Sequence, residues 1–122
     1  MAAHPESYVG RDMGQCVAFV RAAANVPHTS YWHRGDPVAT TDVASGTAVA
    51  TFDANGRYGN HTDGSSHAAI FVRQMGAGMQ VWDCWLDQPV HQRVIQWRDG
   101  VGKACDDGSR FYLIETASVP DD

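Results

Sequence analysis

Nowhere in the 122 residues do eighteen apolar residues run together, which excludes a spanning helix of ordinary length. The stretch from Met1 to Gly10 holds His4, Pro5, Glu6 and Tyr8. It lacks a basic patch ahead of an apolar run, so no ordinary export signal is read there. Lysine and arginine number only 9 against 14 acidic residues, a net charge of -5, and they never cluster. With no basic stripe to track a phosphate backbone, a nucleic-acid partner is disfavoured. Cysteines are few: Cys16, Cys84 and Cys105 follow no zinc-ligand spacing, and their odd number permits one disulfide plus a thiol or three free thiols. There is no internal repeat and no low-complexity tract. Asp106, Asp107 and Gly108 lack the remaining ligands of a calcium loop and read as solvent-facing turn residues.

What is present fits a globular chain. Hydrophobic residues make up 43% and charged residues 19%, and the length suits a single domain over residues 1–122. Cys16, Phe19, Val20, Ala23 and Ala24 recur at i, i+3, i+4, i+7 and i+8, one face of an amphipathic helix from about Gln15 to Ala24. Asn25 and Pro27 stop it. From Pro27 to Ser45 the chain is rich in Pro, Gly, Asp, Thr and Ser and reads as a long connection whose Tyr31 and Trp32 need somewhere to pack. Strand character follows at Thr47 to Phe52, His67 to Arg73, Met79 to Trp85, Val90 to Trp97 and Arg110 to Ile114. The last four read as an antiparallel meander. The resulting expectation is α+β: one N-terminal helix packed on an antiparallel sheet of about five strands.

Cys16 falls in the first turn of that helix, where unpaired amides favour a thiolate and can also meet a developing oxyanion. On the helix alone it could equally be a small buried hydrophobe. His67 heads an otherwise apolar strand, a costly place for an imidazole unless its nitrogens are bonded; His4, His28, His33, His61 and His91 lack that setting. Asp83, sixteen residues on and on the next strand, is the candidate to hold the far nitrogen of His67.

Two blocks, Gly14-Gln15-Cys16-Val17-Ala18-Phe19-Val20 and Ser65-Ser66-His67-Ala68-Ala69-Ile70-Phe71-Val72, resemble the CHAP-type and related papain-like peptidoglycan amidases. In that family the nucleophile follows Gly-Gln at the start of a helix and the histidine opens an apolar strand. Gly46 to Phe52 and Val81 to Trp85 look like the strands on either side of the histidine. The resemblance implies a papain-like fold and a cysteine peptidase or amidase with Cys16, His67 and Asp83 as its catalytic residues, and no cofactor or metal. Where papain carries a glutamine six residues before its nucleophile this chain has Gly10, so Gln15 or Tyr8 becomes the candidate second oxyanion donor. Trp32 and Trp85 are candidates for the substrate groove, with Trp97 expected to be structural.

Small size without an export signal resembles the amidase effectors delivered by type VI secretion. That implies a γ-D-glutamyl–diaminopimelate bond or a diaminopimelate–D-alanine crosslink as substrate, delivery into a target-cell periplasm, and a cognate immunity protein as partner. In that oxidising setting Cys84 with Cys105 is the favoured disulfide. A phage or housekeeping wall hydrolase, and a non-catalytic binding module of the same fold, are the alternatives.

Overall fold

A computed structural model describes residues 15–59, 61, 64–85 and 88–116. Helix α1 spans Gln15–Ala24, and the chain leaves it through Asn25, whose φ of 57° is the left-handed conformation asparagine tolerates at a helix end. Its apolar stripe, Phe19, Val20 and Ala23, is fully buried against the sheet. Removing Phe19 and Val20 from water contributes about 2 kcal/mol each, so packing rather than intrinsic propensity holds this ten-residue helix.

Among the described residues six strands make one sheet: β1 Trp32–Pro37, β2 Ala48–Thr51, β3 Ala68–Met75, β4 Gly78–Trp85, β5 Gln88–Gln96 and β6 Phe111–Thr116, in the order β1-β6-β2-β3-β4-β5. All pairings are antiparallel. The sheet exceeds the expected five strands by β1, which lies inside the stretch read as a connection. Its sequence, Trp-His-Arg-Gly-Asp-Pro, has little strand propensity, and its register on β6 shifts between Arg34 and Pro37. The meander holds for β3, β4 and β5 only; β6 crosses back to lie between β1 and β2.

The two sheet faces carry separate cores. Trp32, Ala48, Ala50, Ala68, Ile70, Cys84 and Val90 pack with α1. On the opposite face Val38, Val49, Ala69, Phe71, Met79, Val81, Ile95 and Phe111 pack together. Among the described residues no helix is long and apolar enough to cross a membrane.

The turn before β6 differs from its reading as solvent-facing. Asp106 is exposed, but Asp107 is fully buried and Gly108 is buried with it. The Asp107 carboxylate accepts from the amides of Arg98, Gly100 and Ser109 and from the Ser109 hydroxyl. A Cβ at Gly108 would sit 2.8 Å from both the Ile95 carbonyl and the Trp97 ring, so only glycine fits. Trp97 is structural as expected, packing on the second core and donating from Nε1 to the Met75 carbonyl.

Candidate active site

The start of α1 and the head of β3 meet where α1 crosses the sheet, and this brings Cys16 to His67. His67 is 5% exposed, with its backbone amide donating to Thr51 Oγ1 at 2.9 Å, so the residue before β3 is anchored to the end of β2. Its Nε2 lies 2.8 Å from Asp83 Oδ2. That leaves Nδ1 for the Cys16 thiol, which is within hydrogen-bonding reach of the ring. Cys16, His67 and Asp83 thus form one line running from the helix through the imidazole to β4.

The electrostatics follow from burial working against pairing. Burial opposes a thiolate at Cys16, but the His67 hydrogen bond and charge, the Ala68 amide and the Tyr58 hydroxyl outweigh it and hold the thiol below its ordinary pKa. Burial likewise opposes an imidazolium at His67, yet the Asp83 hydrogen bond, the thiolate contact and both charges push it up to about 9. Asp83, with no exposure at all, is held below the usual carboxylate range: the cost of burial is exceeded by His67 and by Arg93. The arrangement favours a thiolate–imidazolium pair over the neutral pair.

Three neighbours were not legible in the sequence. Tyr58 places its hydroxyl 4.0 Å from Cys16 Sγ, and burial together with the Cys16 charge drives its pKa upward, so it stays a proton donor. Arg93 of β5 donates from Nε to Asp83 Oδ2 at 2.7 Å and from Nη2 to the Cys105 carbonyl at 3.0 Å. It also lies over the Trp85 ring. His91, which the sequence set aside, stands with Nδ1 3.1 Å from the Asp83 carbonyl oxygen and 3.7 Å from Asp83 Oδ1. Among the described residues Oδ1 itself is buried without a hydrogen-bond partner, so the hydrogen bonds that hold the carboxylate run through Oδ2. Arg93 and His91 are the register partners of Val81 and Asp83 across the β4–β5 ladder, a pairing that the alternation of β5 hints at but does not specify.

The remaining candidates divide. Trp85 is 43% exposed and its ring stands edge-on to those of His67 and His91, where a substrate can reach it. Trp32 is a correction: it is 0% exposed, donates from Nε1 to the Pro27 carbonyl and packs edge-on against Tyr58, so it supports the site from the core and lines no groove. Tyr8 and the side chain of Gln15 lie outside the described residues. The three cysteines are free, which corrects the Cys84–Cys105 pairing. Cys84 belongs to the core beneath α1, whereas Cys105 sits on the turn at Ala104–Asp106. Burial, with the Cys16 and Asp83 charges, pushes the Cys84 thiol up to about 12, leaving Cys16 as the only one of the three held in a reactive state.

Comparison with known proteins places this geometry in a family. The family described as Domesticated amidase effector 2 matches residues 2–114. A type VI secretion amidase effector 2 protein of Salmonella typhi is 40% identical over 81 residues, 66% of this chain and 59% of the relative, so the chain spans less than two thirds of that protein's length. A Domesticated amidase effector 2 of Ixodes scapularis is 36% identical over 112 residues, covering 88% of this chain and 75% of its own. The solved structure of a type 6 secretion amidase effector 2 superposes with a TM-score of 0.74 at 25% identity, covering 97% of this chain and 96% of that one. The α+β, papain-like arrangement of an N-terminal helix on an antiparallel sheet is shared with that solved effector, and the chain belongs to the Domesticated amidase effector 2 family.

Proposed function

We propose that this chain is a cysteine amidase that hydrolyses peptide bonds of bacterial peptidoglycan, with Cys16 as nucleophile, His67 as its acid and base, and Asp83 as the group that orients the imidazole. The observation that carries this reading is the buried line from Asp83 through His67 to a thiol held below its ordinary pKa. The family's name and the names of its relatives support an amidase, and the likeness of the Cys16 and His67 blocks to the peptidoglycan amidases supports the substrate class.

The Cys16 thiolate attacks the scissile carbonyl carbon, forming a C–S bond while the carbonyl pair moves to oxygen. That oxyanion meets the Cys16 amide, which has no partner within the helix, and the Tyr58 hydroxyl in place of papain's glutamine. The C–N bond then breaks and the His67 imidazolium gives its proton to the departing amine. Water enters, His67 takes one of its protons, and the hydroxyl attacks the thioester; the C–S bond breaks, returning the thiolate and imidazolium with a free carboxylic acid. Trp85, exposed beside His67, offers the substrate a flat contact.

The type VI names of the relatives support delivery by that secretion system; we extend this to the periplasm of a rival cell and to a cognate immunity protein that covers the groove in the producer. The bond cut is a stem-peptide amide, γ-D-glutamyl–diaminopimelate or the diaminopimelate–D-alanine crosslink, the crosslink being preferred. Purified peptidoglycan incubated with wild type and with Cys16→Ala, its products resolved by chromatography and mass spectrometry, tests the reading. Wild type should release new free amines and carboxylates at one bond, and Cys16→Ala none. An unchanged polymer with both proteins overturns it.

A further inference from the structure

Beside the triad, at the ends of β2 and β6, lies a cleft of about 350 Å³ lined by Arg34, Thr51, Phe52, Asp53, Arg110 and Tyr112 among others. A volume in this range suits a small ligand group. Two of its wall residues touch residues of the catalytic centre. Thr51, at its back, receives the His67 backbone amide and donates to the Ser65 carbonyl. Phe52, on its wall, stands edge-on to Tyr112 on one side and to Tyr58 on the other, with ring centres 6.4 and 6.5 Å apart, and Tyr58 is the residue that reaches Cys16.

The two arginines are not equivalent. Arg110 is committed: Nη2 donates to the Gly100 carbonyl at 3.0 Å and Nε lies 3.6 Å from Asp107. Asp53, the acid of the cleft, is taken up by His61 at 3.0 and 3.2 Å. Arg34 is exposed and lies over the Tyr112 ring at 5.6 Å, with its five N–H donors facing no carboxylate among the described residues. Stacking holds the guanidinium plane while leaving its edge open, the geometry in which arginine takes a carboxylate through two parallel hydrogen bonds. In a chain of net charge -5, a cleft whose arginines outnumber its acids is a local attractor for anions.

We infer that this cleft is a carboxylate subsite for the peptidoglycan stem peptide, with Arg34 as the residue that binds the free carboxylate. The inference rests on the proposed substrate class. Stem peptides carry carboxylates and no phosphate, and an extended peptide advances about 3.5 Å per residue, so a carboxylate roughly three or four residues from the bond held at Cys16 reaches past Tyr58 and Phe52 into the cleft.

Binding by Cys16→Ala protein separates this inference from catalysis. Synthetic stem peptides bearing free carboxylates, and the same peptides with single carboxylates converted to amides, are titrated calorimetrically into Cys16→Ala and into Cys16→Ala with Arg34→Gln. Amidation at one position should weaken binding to the first protein about tenfold, the scale of one charge-assisted contact. The Arg34→Gln protein should bind the acid as weakly as the amide, and Arg34→Lys should recover part of the preference. Equal binding of acid and amide by Cys16→Ala, or an undiminished preference after Arg34→Gln, overturns the inference. Failure of the wild type to cleave peptidoglycan would instead count against the proposed activity and leave this binding preference intact.

Discussion

At the scale of the residue, the chemistry depends on how far pairing outweighs burial at Cys16. Removing the imidazolium takes away the largest influences that lower the thiol pKa while leaving its burial in place, so His67→Ala should raise it. Iodoacetamide labelling of the wild type should therefore proceed well below the ordinary thiol pKa, and the His67→Ala profile should move to higher pH; overlapping profiles would show that the two side chains do not communicate. Tyr58→Phe keeps the ring that packs on Trp32 and Phe52 and removes only the hydroxyl. Loss of one oxyanion donor corresponds to roughly a hundredfold drop in kcat, with KM little changed. A drop below about tenfold would return the role to Gln15 or Tyr8. Cys16, His67 and Asp83 were legible because each lies at a characteristic place in its own element. Tyr58 and Arg93 were not, since nothing in a loop tyrosine or a strand arginine announces a partner forty-two residues away or on a neighbouring strand.

At the scale of the element, the periodic segments were readable and the irregular ones were not. Helix α1 has the bounds its apolar spacing implies, and β2 to β6 fall within two residues of their sequence patterns. Strand β1 escaped because its pairing with β6 is set by Trp32 burying beneath α1, a tertiary effect that overrides poor local propensity. The Asp107 turn escaped because Asp-Asp-Gly looks the same whether it faces water or gathers four donors. Its role can be measured. Asp107→Ala leaves the Arg98, Gly100 and Ser109 amides without their buried acceptor, a loss of about 3 kcal/mol. For a chain of this length that lowers Tm by roughly 10 °C. Gly108→Ala should also destabilise, by about 1–3 kcal/mol, because neither the Ile95 carbonyl nor the Trp97 ring can withdraw without disturbing the second core. Thermal unfolding of the two variants decides both, and Tm values within a degree or two of wild type would mean the turn is not part of the cooperative unit.

At the scale of the whole molecule, the long-range order of the sheet was the least legible feature. Hairpins such as β3–β4 follow from short links, but the return of β6 between β1 and β2 is decided only when both faces of the sheet are covered. That closure buries the triad, and burial couples its protons to global stability. A group with a raised folded pKa stabilises below its unfolded value and loses that contribution as pH rises through the folded one. For His67 the window runs from about 6.5 to about 9. Cys16 has the opposite sign: its depressed pKa stabilises at high pH, and the contribution is lost as pH falls through the folded value. The two signs oppose: where the windows overlap, the proton kept by the folded imidazole is offset by the proton given up early by the folded thiol, so the pair's slope with pH is smaller than that of either group alone. Cys16→Ser removes only the compensating half. With the Asp83 hydrogen bond and charge still acting on the imidazole, its stability should fall more steeply than that of the wild type as pH rises above 6.5, by at most about 1.4 kcal/mol per pH unit. Urea midpoints of the two proteins between pH 6 and 9 would reveal the difference, and parallel curves would mean that the thiol does not offset the titration of the imidazole.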